Sequence, residues 1–128
     1  MNKRNLGNVL AAIALLCFIG AIIGMAMSAS HRWVEPLEEA GWMFFTGCIL
    51  VYYLVVPYEG ELNQKWVSAA WGLGALSIAL LLAAFIANVA AAHYKYWFEA
   101  IETAGLVAMV LTIISCMMAR GHLSKPLE

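Results

Sequence analysis

Glutamates at positions 35, 38, 99 and 102 spell Glu-x-x-Glu twice in a chain of 128 residues that is 64% apolar. Each pair belongs to a longer match. "WVEPLEEAG" at 33–41 and "WFEAIETAG" at 97–105 share Trp, both glutamates, Ala and Gly, 64 residues apart. Residues three apart are neighbours on one face of a helix. Each segment therefore presents two carboxylates and then a glycine, Gly41 or Gly105, along one stripe. Lipid disfavours charge, whereas a second helix benefits from a glycine that lets backbones approach. Gly41 and Gly105 are thus expected to pack helices together. Carboxylates gathered in one place repel, and need protons or a shared cation. Glu35, Glu38, Glu99 and Glu102 are accordingly candidate cation ligands, either for a hard divalent metal ion bound through oxygen or for protons.

Histidines widen the candidate metal set. His31 and His93 lie close in sequence to the glutamates, and two histidines with four carboxylates match the ligand count of di-iron helical bundles. Those bundles use Glu-x-x-His, however, and the histidines here break the repeat: Lys95, not a histidine, stands 64 residues after His31. Glu39 has no counterpart, because Thr103 takes its place, so any role for it is asymmetric, such as pairing with Arg32 or Lys95.

A plainer reading competes with the cation site. Pro36 suits the first position of a helix, and acids in a first turn complement the helix dipole by about 0.3–1 kcal/mol each. Trp33 and Trp97 beside them fit an interfacial aromatic belt. On that reading the glutamates only start helices. It leaves unexplained why both share the glycine's face, and why this is written twice.

The elements that must position these residues come from four apolar runs, roughly Leu6 to Ser28, Leu37 to Val56, Trp66 to Ala92 and Phe98 to Ala119. Each has the length of about 20 residues that a helix needs to cross a hydrocarbon core of about 30 Å. The expected fold is an all-α membrane protein of four transmembrane helices. It is one domain, 1–128, made of two tandem helical hairpins, 1–60 and 61–128, related by a parallel repeat with an offset of about 64 and an axis along the membrane normal. A second echo, "IALL" at 13–16 and 78–81, has nearly the same offset. Lys3 and Arg4 before the first run also suit a secretory signal. Its apolar stretch exceeds the usual length of about 7 to 15 residues, and it has an echo later in the chain, so a retained helix is expected. Lys3, Arg4, Lys65, Arg120 and Lys125 collect on the side of the termini, against Arg32 and Lys95 on the other. By the positive-inside rule both termini are cytoplasmic and the glutamate pairs face outward, in a plasma (inner) membrane of bacterial or archaeal type.

Other functions find less support. Cys17, Cys48 and Cys116 lie in apolar runs without a Cys-x-x-Cys spacing, and read as small buried hydrophobes. A net charge of −1 without a basic patch gives nothing for nucleic acid. Aspartate is absent, and no phosphate loop, His-Glu-x-x-His or Gly-x-Ser-x-Gly occurs, so an enzyme acting alone is not expected. Two functions stay open. One is a channel, carrier or metal-binding unit whose cofactor would be a divalent metal ion. The other is a non-catalytic accessory subunit of a larger membrane complex. The bilayer is the partner in either case, with a homo-oligomer or a complex around it.

Overall fold

The computed structural model describes residues 2–28, 31–57, 60–90 and 96–121, with 31 and 32 described by backbone alone. The described chain is helical throughout: α1 (Lys3–Ala26), α2 (His31–Leu50), α3 (Gln64–Ala90) and α4 (Tyr96–Arg120), with a π-helical turn, Val51–Val55, continuing α2. Helices α1, α3 and α4 are long and apolar enough to cross a membrane. Helix α2 differs because Glu35, Glu38 and Glu39 occupy its first half.

Local chemistry sets the ends. The Asn2 side chain caps α1 by accepting the Asn5 N–H at 2.7 Å. Asn63 does the same for α3 with the Lys65 N–H at 3.2 Å. Helix α4 closes on Gly121 at φ 56°, whose N–H reaches the Met117 carbonyl at 2.9 Å; this is the left-handed ending that glycine favours. Helix α2 starts five residues before Pro36, which therefore lies inside the helix rather than at its first position. Its first turn holds no acid, whereas the first turn of α4 holds Glu99. Helix-start chemistry thus accounts for Glu99 and not for Glu35 or Glu38.

Contacts between the helices fix their directions. A Cβ on Gly7 would meet the Tyr52 ring, one on Gly41 the Phe18 ring, and one on Gly47 the Leu10 side chain; as residue numbers rise on α1 their partners fall on α2. Gly74 of α3 meets Leu50, while Asn88 of α3 meets Glu39. Gly105 of α4 meets Leu81, and the Ala119 carbonyl accepts the Asn63 N–H at 2.9 Å. Successive helices are therefore antiparallel, and the starts of α2 and α4 lie at the same end.

Packing follows heptad spacing. The buried residues of α3 are Ala70, Gly74, Ser77, Leu81, Ala84 and Asn88, alternating steps of four and three. Those of α1 are Gly7, Ala14 and Ala21. This is the periodicity of left-handed helix pairs with interlocking side chains. Small residues dominate both seams, which lets the helix backbones approach closely. The order of packing is α1 on α2, α2 on α3, and α3 on α4, with lesser contact of α4 on α2. Among the described residues α1 has no substantial packing on α3 or α4. Helix α2 is therefore central, while α1 and α4 flank the assembly.

Each repeat glycine works inside its own hairpin. A Cβ on Gly41 would come within 2.7 Å of the Phe18 ring, and one on Gly105 within 2.9 Å of Leu81 Cγ. The Gly105 carbonyl also accepts the buried Ser77 hydroxyl at 2.8 Å. Gly105→Val should cost about 1–3 kcal/mol by overpacking, read as a lower unfolding midpoint of the purified protein in detergent.

The other end of the bundle is tied by the π-helical turn. Tyr52 donates to Asn8 Oδ1 on α1, and Arg120 of α4 stands over the Tyr53 ring at 5.2 Å from its centroid. Leu50, Ala70 and Cys116 form a small apolar core beside it. All three cysteines are free thiols, Cys48 and Cys116 buried and Cys17 partly so.

Candidate cation site

Glu35, Glu38 and Glu102 converge where α2 and α4 begin, with one oxygen from each lying within 4.8 Å of the others. All three are half-buried. The Glu35 and Glu102 carboxyls interact directly with each other, an approach that favours a proton or cation shared between them. At 4.8 Å and an effective dielectric constant of about 20, each ionised pair costs about 3 kcal/mol. Three such pairs make a fully ionised, cation-free group expensive.

Helix position explains the convergence. Val34 on α2 and Phe98 on α4 are buried at equivalent repeat positions, as are Gly41 and Gly105. These turn both helices toward the preceding helix of their own hairpin. Glu35 and Glu38 lie in the first half of α2, at the end where α4 also begins. Glu102 reaches the same place from α4. Glu99, one turn earlier on a flanking helix, is exposed and lies outside the group, although its charge is still felt at Glu102. Of the four glutamates marked by the repeat, three come together.

A fourth carboxylate joins them from a position the repeat does not mark. Glu39 is completely buried and within electrostatic reach of Glu102, Glu35 and Glu38. Asn88 Nδ2 on α3 donates to both of its oxygens, at 3.1 and 3.0 Å, and to the Ala84 carbonyl at 3.0 Å. This bridge joins α2 to α3 directly behind the carboxylate group. Sequence reasoning missed this bridge, although Asn88 is the one amide within the apolar run Trp66 to Ala92 and a buried polar group needs a partner. The anticipated partners of Glu39 are not its observed one: Lys95 lies outside the described residues, and the side chain of Arg32 is not described.

His93 likewise lies outside the described residues, and of His31 only the helical backbone is described. Gly41 and Gly105 border the site from below, one helical turn further along each stripe.

An oxygen-only set suits hard cations such as Ca²⁺, Mg²⁺ or Mn²⁺ in preference to softer metals that favour sulfur or nitrogen. An ion held at about 2.3–2.6 Å from oxygen, the calcium distance, can be reached by all three carboxylates with small side-chain adjustments. Water or further groups would fill the remaining positions. Comparison of the chain with protein-family models, with curated proteins and with solved structures finds no match.

Proposed function

We propose that this is an integral membrane protein whose four helices span the bilayer as two tandem hairpins, and that Glu35, Glu38 and Glu102 form an outward-facing cation site. The observation that carries the reading is the convergence of three carboxylates from two helices within 4.8 Å. A divalent ion would neutralise much of their mutual repulsion and link α2 to α4, which otherwise pack only lightly on each other. The protein would then act as a channel, carrier or metal-binding unit. Glu39 stands behind the ligands and outside the three-carboxylate group, its oxygens accepting from Asn88 on α3.

Elemental analysis of the detergent-purified protein tests this. Wild type is expected to retain a divalent metal, and Glu38→Gln with Glu102→Gln together to lose it. Unchanged metal content in the double variant would overturn the site. Loss of a co-purifying membrane protein with no change in bound ion would favour the accessory-subunit function instead. Metal must displace any protons held by the carboxylates, so affinity should fall as pH is lowered, measurable by titration at two pH values.

A further inference from the structure

A groove of about 400 Å³ lies between α1 and α2, lined by Phe18, Ala21, Ile22, Met25, Glu38 and Trp42. Its walls are apolar and aromatic apart from one carboxylate, Glu38, which is also a member of the cation group. A second groove of similar volume, lined by Trp33, Pro36, Leu37, Phe85 and Val89, has no charged residue at all. The two differ in the one feature that selects a ligand by charge.

We propose that the groove between α1 and α2 binds a lipophilic organic cation, a quaternary ammonium or protonated amine carrying an apolar body. Charge complementarity carries the choice. Glu38, with Glu35 and Glu102 close behind it, supplies a negative field at one wall. Trp42 and Phe18 supply aromatic surface, and Trp is the strongest partner for a cation over a ring face. Ala21, Ile22 and Met25 accept the apolar body. The volume is within the range of small-molecule sites, about 300–1,000 Å³.

The rings are held in place before any ligand arrives. Phe18 and Trp42 meet edge to face at 4.8 Å between centroids, and Trp42 meets Phe45 likewise at 6.0 Å. Gly41 clasps the Phe18 ring so closely that no Cβ fits there. Such preorganisation lowers the ordering cost of binding. Ile22 and Met25 are both more than half exposed, so the groove opens sideways from the bundle. In a bilayer that side is lipid, where an amphiphilic cation places its charge at headgroup level and its apolar part below. The carboxylates and the groove stand at the same end of the helices, which matches that orientation.

The inference extends the cation site to a second ligand class through their shared Glu38, and it stands or falls separately from the metal. Binding of benzyltrimethylammonium to the purified full chain, followed by titration calorimetry, tests it, with the uncharged isostere neopentylbenzene as control. Saturable binding of the cation and at least tenfold weaker binding of the isostere are expected. Glu38→Gln should weaken the cation at least tenfold. Ile22→Trp, which fills the groove from an exposed position, should do the same while leaving Mn²⁺ binding at its wild-type level. Mn²⁺ should in turn weaken the organic cation by competing for Glu38. Equal binding of cation and isostere, or wild-type affinity for the cation in Ile22→Trp, would overturn the proposal. Absence of Mn²⁺ binding alongside normal cation binding would overturn the metal site and leave the groove standing.

Discussion

Glu102→Gln should weaken divalent-cation binding at least about tenfold, while Glu99→Gln, one turn away on the same helix, should change it less than about twofold. The two residues look equivalent in sequence, as the members of one Glu-x-x-Glu. Geometry separates them: Glu102 shares a 4.8 Å cluster with Glu35 and Glu38, whereas Glu99 is exposed in the first turn of α4. Removing a ligand oxygen costs at least as much as removing its supporting contacts, for which losses of about 10- to 100-fold are typical. An exposed charge outside the cluster acts only through a screened field. Mn²⁺ titration of the two variants side by side checks the contrast. Equal losses would mean that the carboxylates act as a diffuse negative surface and not as a site.

Asn88→Leu should be among the most damaging single changes in the protein, at about 2–3 kcal/mol. It leaves the fully buried Glu39 carboxyl without the amide that donates to both its oxygens, and the cost of leaving a buried polar group unsatisfied is of this order. The companion experiment is the double variant Glu39→Leu with Asn88→Leu. Replacing both partners by apolar groups is nearly neutral where shape permits. The double variant should therefore recover most of the stability lost by Asn88→Leu alone, as read from denaturation in detergent. A single variant as stable as wild type would show that the α2–α3 bridge contributes nothing.

Much of this architecture is legible in the residue pattern, and the failures have physical causes. The apolar runs around Leu6 to Ser28, Trp66 to Ala92 and Phe98 to Ala119 are long enough to declare helices α1, α3 and α4. Pro36 misleads: it reads as a first-position proline, yet α2 begins at His31 and carries the proline within it. The glutamates of α2 consequently lie beyond its first turn, and the dipole explanation loses half its ground. The sequence match marks Glu35, Glu38, Glu99 and Glu102 alike, whereas the structure gathers three of them and leaves Glu99 exposed, because such a match records which face a residue takes on its own helix and not how many helices surround that face. Helix α2 is flanked on both sides and α4 is not. Glu39 and Asn88 escape the repeat because Thr103 breaks it, and their meeting depends on the register between α2 and α3. Nor does any local signal announce the π-helical turn at Val51–Val55, which ties Tyr52 to α1 and Tyr53 to Arg120. Gly41 and Gly105 were expected to pack helices, and each seats a side chain of the preceding helix within its own hairpin. That detail needed coordinates.

The most direct measurement of the central claim is Mn²⁺ binding to the purified protein, counted by electron paramagnetic resonance in wild type and in the triple variant Glu35→Gln, Glu38→Gln, Glu102→Gln. The cation site requires one tightly held ion per chain in wild type, displaced by Ca²⁺, and none in the variant. The same stoichiometry and affinity in both proteins would show that these three carboxylates, close as they are, do not hold a cation.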